Sequence, residues 1–139
     1  MNIKRLTIAI VVAFFFTFIT DFVIHALWLD SVYKTAGILR TEPEQMARFP
    51  WMIAGHLLLA VTFVVLWARR RSLGGIGAGA GYGFLMGLFA HVGTMFLYVS
   101  MPIPGRIAVS WIVAGVLQAT VLGMITAAIY RPPPTSRFI

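Results

Sequence analysis

The run LTIAIVVAFFFTFITDFVIHALWL, Leu6–Leu29, decides how the rest of the chain is read. It exceeds the roughly 20 apolar residues that a helix needs to cross a bilayer. In hydrocarbon the backbone must satisfy its own hydrogen bonds, so a single continuous segment has to be helical. An outer-membrane barrel would instead show shorter, alternating segments. A cleaved signal peptide would use Lys4 and Arg5 as its basic start, but this run is too long and lacks a small-x-small cleavage site.

Three further runs follow: Pro50–Ala68, Ala78–Met101 and Ile107–Tyr130. Of 139 residues, 60% are hydrophobic and 11% charged, with a mean hydropathy of +0.90. A soluble domain carries roughly 25% charged residues. No Cys is present, which excludes disulfides and thiolate metal sites. The expected fold is all-α: a four-transmembrane-helix bundle forming a single membrane domain over residues 1–139.

The formal charge of +7 would suit a nucleic-acid partner, but its distribution points elsewhere. Lys4, Arg5, Arg69, Arg70, Arg71, Arg131 and Arg137 fall on one side of the expected spans. Lys34, Arg40, Arg48 and Arg106 fall on the other, offset by Asp30, Glu42 and Glu44. The positive-inside rule then puts both termini in the cytoplasm, and an even number of spans agrees. The lipid bilayer is the expected partner, and no nucleic acid. The triple arginine has a secondary reading as a polybasic lipid contact.

The outer loop, residues 30–49, contains TEPEQMARF. Thr41 as a cap, Pro43 in the first turn and Glu44 three residues after Thr41 predict a short interfacial helix, with Met46 and Phe49 dipping toward lipid. Pro50 then opens the second span. Trp28, Trp51, Trp67 and Tyr130 are expected to anchor span ends at the interface. The turn MPIPGR makes spans three and four an antiparallel hairpin. RPPPTSRFI, from Arg131 onward, reads as an extended, mobile tail. Phe14, Phe15, Phe16 and Phe18 read as lipid contacts, and Met86, Met95 and Met101 as packing.

Glycine recurs every fourth residue in the third span, at Gly75, Gly79, Gly83 and Gly87. The fourth span answers with Gly115, Ala119, Gly123 and Ala127. Stripes of this kind let two helix backbones approach closely, and these two are expected to face each other. Their alternative use is contact with other chains, in a homo-oligomer or a larger membrane complex. No phosphate-binding GxGxxG or Walker spacing occurs. The first span carries Ala9, Ala13, Thr17, Asp21 and His25 at the same period, which turns Asp21 and His25 inward.

At roughly 1.5 Å per residue, His25 lies about 6 Å and Asp21 about 12 Å inward from Leu29. His56 lies about 9 Å inward from Pro50, and from Met101 Thr94 lies about 10 Å and His91 about 15 Å deep. Gln118 is about as deep as His91. A charged carboxylate at the bilayer centre costs about 3 kcal/mol, so Asp21 needs a partner or a proton. His25, one turn away, and His56, on the next helix, both qualify.

Asp21, His25, His56, His91, Thr94 and Gln118 are therefore the candidate ligand or proton pocket. The bland reading is an interhelical clamp. A metal ion would take Asp21, His56 and His91, with His25 behind them. Haem, held between His25 and His56, is a lesser alternative. No catalytic constellation is apparent, so the sequence leans away from an enzyme.

The layout resembles small four-helix bacterial inner-membrane proteins of unknown function. The likeness rests on HALW at the end of the first span, TEPEQM in the outer segment, the Gly-rich third span and the closing IYRP. It implies the bacterial cytoplasmic membrane and assigns no site residue. The expected function is an outward-facing pocket that binds a proton, metal ion or small polar ligand. A purely structural subunit of a larger membrane complex is the alternative.

Overall fold

The computed structural model describes residues 2–70 and 74–131. Arg71 and the tail beyond Arg131, including Arg137, lie outside them. The described chain is helical: α1 (Ile3–Asp21) continues as a π-helical stretch (Phe22–Trp28), followed by α2 (Asp30–Ala36), α3 (Glu42–Ala68), α4 (Ile76–Ser100) and α5 (Gly105–Ile129). Four helical stretches are long and apolar enough to cross a membrane: Ile3–Trp28, α3, α4 and α5.

α1 starts at Asn2, whose side chain accepts the Arg5 amide at 3.1 Å. α2 ends where Gly37 turns left-handed at φ 64°, a conformation costly for residues with a Cβ. α3 starts at Thr41: the Glu44 carboxylate accepts from both the Thr41 amide and its hydroxyl. This cap opens the whole 27-residue helix rather than a separate interfacial one. Pro50 lies inside α3 and does not open it. One proline removes a single backbone bond, to the Met46 carbonyl, and a membrane helix tolerates that loss when the rest of the helix continues.

The closest packing joins α4 to α5. A Cβ on Gly79 would overlap the Gly123 carbonyl and Ala127, and one on Gly83 the Ala119 carbonyl. A Cβ on Gly87 would press on Val116 and Ala119. The two stripes therefore face each other within one chain. Gly75 is apart from them: it precedes α4, with open space where a Cβ would stand.

α1 packs against α3 and α5 through buried Ala9, Ala13 and Thr17. Lipid tails are as apolar as these side chains, so close van der Waals contact and hydrogen bonds do the holding. At the termini end, Ala9, Ala13, Phe63, Trp67, Leu122, Ala127 and Tyr130 share one core cluster. Trp67 is fully buried and donates its indole N–H to the Tyr130 carbonyl at 3.2 Å. Neither residue is thus the surface anchor that the sequence implied; a buried indole N–H needs an acceptor, and Tyr130 provides it. Trp28 and Trp51 are exposed. Among the phenylalanines, Phe15 faces outward, whereas Phe14 and Phe16 pack on the core.

At the opposite, loop end, Leu29, Tyr33 and Ile107 form a second cluster, with Trp111 packed against it. It docks α2 onto the start of α5.

Candidate functional site

Asp21 closes α1 on the inward stripe, and His56 faces it from the middle of α3. Their contact spans two helices: His56 Nε2 lies 2.8 Å from Asp21 Oδ2. The other carboxylate oxygen, Oδ1, accepts from Gln118 Nε2 at 2.6 Å. The same Gln118 nitrogen donates to Thr20 Oγ1 at 2.6 Å and lies 3.4 Å from the Thr17 carbonyl. Thr20 can accept because its own hydroxyl donates to the Phe16 carbonyl at 2.7 Å. Three helices thus converge on one carboxyl group.

The proton count follows from the other imidazole nitrogen. His56 Nδ1 lies 2.7 Å from the Met52 carbonyl, an acceptor only, so Nδ1 carries a hydrogen. A bare Nε2 facing a bare carboxylate would set lone pair against lone pair at 2.8 Å. A hydrogen bond across this contact needs one proton, either on Nε2 facing a carboxylate or on Oδ2 facing a neutral imidazole. The Phe18 ring meets the imidazole edge-on at 5.3 Å and walls it from one side.

His25 does not join this pair. Its Nδ1 bonds the Tyr33 hydroxyl at 2.6 Å, and Trp111 Nε1–H donates to the same oxygen. Tyr33, receiving one hydrogen from Trp111, passes its own to His25. Burial pushes the Tyr33 phenol above its ordinary value, which suits a hydroxyl that stays a donor. The π-helical stretch accounts for the divergence. Its bonds run over five residues, as from the Leu29 amide to the Ile24 carbonyl, so His25 does not stack one α-turn above Asp21.

His91 is elsewhere again. Its Nδ1 bonds the Gly87 carbonyl at 2.9 Å, and its ring occupies the space that a Gly115 side chain would fill. Thr94 is buried along α4, away from the pair's bonds. The expected metal site of Asp21, His56 and His91 is consequently not assembled. No group of three His, Cys, Asp or Glu suited to a metal ion occurs among the described residues. The two imidazoles named for haem are engaged separately, His56 with the Met52 carbonyl and Asp21, His25 with Tyr33.

Asp21, His25 and His56 nevertheless line one cavity, of about 660 Å³. Phe18, Phe22, Met46, Phe49 and Met52 give it an apolar wall, and Arg40 and Arg48 line it as well. A second hollow, of about 450 Å³, reaches Thr17, His91, Gly115 and Gln118 from the side of α3 and α4. Gln118 thus touches the second hollow while holding the carboxylate that lines the first.

No family model, curated protein or solved structure matches the chain. The site is therefore read from its own chemistry. Sequence reasoning had named Asp21, His56 and Gln118 but missed Tyr33, Trp111, Thr20 and the two arginines. Tyr33 and Trp111 meet across 78 positions, and no spacing in the chain announces that contact.

Proposed function

We propose that this chain is a multi-pass membrane protein whose Asp21–His56 pair, held by Gln118, binds one exchangeable proton at the wall of a ligand-binding cavity. The carrying observation is the His56 Nδ1 contact with the Met52 carbonyl, which supports a proton shared between the second nitrogen and Asp21. A pair of this kind changes its internal proton position without changing net charge, a property suited to an apolar setting. The excess of Lys4, Arg5, Arg69, Arg70 and Arg131 at the termini end supports placing that end in the cytoplasm. The cavity then opens on the outer side.

The rival reading, a structural subunit, drew on the glycine stripes as faces for other proteins. With α4 and α5 spending those stripes on each other, the rival retains less support.

Nitrogen-15 NMR of His56 in the full-length protein, reconstituted in lipid nanodiscs, tests the proposal. The expected spectrum has a protonated Nδ1, and an Nε2 signal that moves when Asp21→Asn removes the shared proton. Identical His56 signals in parent and variant would overturn it.

A further inference from the structure

We infer that the cavity beside the Asp21–His56 pair captures an amphipathic anion, a carboxylate or phosphate on an apolar tail, with Arg40 and Arg48 gripping the head. The inference deepens the proposed function and rests on the same cavity. Its ground is the state of the charged groups lining that space. Both acids there are already engaged: Asp21 by His56 and Gln118, Asp30 by Lys34 at 2.8 Å. Neither arginine has a carboxylate within ion-pair reach among the described residues. Glu44, four residues from each arginine, is drawn back onto Thr41, and Arg40 acts on it only from beyond ion-pair distance. Arg48 spends one N–H on the Glu44 carbonyl at 2.9 Å and keeps the rest of its fork.

Two such forks over one cavity fit a carboxylate or phosphate, which guanidinium groups grip in a bidentate manner. The apolar wall fits a tail. Arg48 precedes His56 by eight residues, about 12 Å along α3, so the head and the proton pair occupy different levels of the cavity. A volume of about 660 Å³ suits a small amphiphile rather than an ion alone. For a molecule arriving from the bilayer, the tail gains little on leaving lipid, so the head must decide the selection. The alternative fate of the arginines is to reach out to bulk lipid headgroups.

Photolabelling of the full-length protein in phosphatidylcholine nanodiscs separates these cases. The probes carry one diazirine decyl tail ending in carboxylate, phosphate or amine, and a diazirine phosphatidic acid represents the bilayer's own anions. The expected result is labelling of the segment from Arg40 to His56 by the anionic probes and not by the amine. Competition by unlabelled decanoate is expected to remove it. Labelling by the free amphiphiles alone names a soluble source, and labelling by phosphatidic acid names a lipid.

Arg40→Gln and Arg48→Gln should each lower labelling about tenfold, the loss of one charge-assisted contact. Arg48→Lys should keep part of it, and Arg5→Gln at the termini end should change nothing. Labelling indifferent to head charge, or to both arginines, overturns the inference. The His56 nitrogen signals, recorded on the same arginine variants, report the proton pair separately. If the pair holds no shared proton while labelling still follows the arginines, only the proton reading falls.

Discussion

His56 and Asp21 stand 35 residues apart in the chain, yet His56 Nε2 lies 2.8 Å from Asp21 Oδ2. Only Asp21 Oδ2 is used in that contact. Oδ1 is held by Gln118, so the carboxyl group cannot rotate away without breaking a bond to a third helix. The pair ties two helices together and, in the function proposed above, also holds one proton; substitutions separate the two roles.

Asp21→Asn keeps an acceptor for Gln118 and a donor for His56, so it should preserve the fold while losing the shared proton. His56→Ala instead leaves the carboxylate without its main partner. We expect it to be the more destabilising change, by about 1–2 kcal/mol. Reversible unfolding in mixed micelles, run as a double-mutant cycle, measures both and yields their coupling. Equal losses for the two variants would contradict the expected asymmetry.

Gly83→Ala should loosen the α4–α5 contact, because the added methyl meets the Ala119 carbonyl, a backbone atom that cannot swing aside. Overpacking of this kind costs about 1–3 kcal/mol. Gly77→Ala, six residues nearer the helix start and open to space, should be neutral or mildly stabilising. The comparison within one helix controls for propensity. The same micelle titration reads both.

Tyr33→Phe removes the acceptor of the Trp111 N–H and the donor to His25 in one step. Each bond is worth about 1 kcal/mol, so α2 should detach first. Faster amide exchange across Asp30–Ala36 is the expected sign. The pH dependence has a definite direction. A phenol raised above 10.0 on folding stabilises fully below that value and loses its contribution as pH climbs through the higher folded value. Docking of α2 should therefore weaken in alkali, and Tyr33→Phe should remove that limb.

Because the chain has no cysteine, single introduced thiols report sidedness without background. Ser31→Cys, at the loop end, should react with an impermeant maleimide in intact cells. Asn2→Cys should react only after permeabilisation. The reverse pattern would invert the proposed orientation and turn the cavity toward the cytoplasm.

Much of this fold was legible because membrane helices leave a strong local record. Long apolar runs mark the spans, and a four-residue period of small side chains marks the faces that meet. Gly79, Gly83 and Gly87 show that record directly: a missing side chain is itself the contact. Trp67 and Tyr130 show where such a record misleads. Aromatic residues near span ends occur both as surface anchors and as buried plugs, and only the neighbours distinguish them.

The site divides along the same line. Sequence alone determined that Asp21 would be turned inward and would need a partner, since a lone carboxylate in hydrocarbon is too costly to leave exposed. Which imidazole answered it was decided by tertiary structure. A π-helical stretch after Asp21 carried His25 off to Tyr33, close α4–α5 packing kept His91 over Gly115, and continuation of α3 through Pro50 brought His56 level with the acid. The physical reason is that helical period specifies a direction within one helix. Partners on another helix are set by how the backbones wind and cross, which no single run of residues encodes.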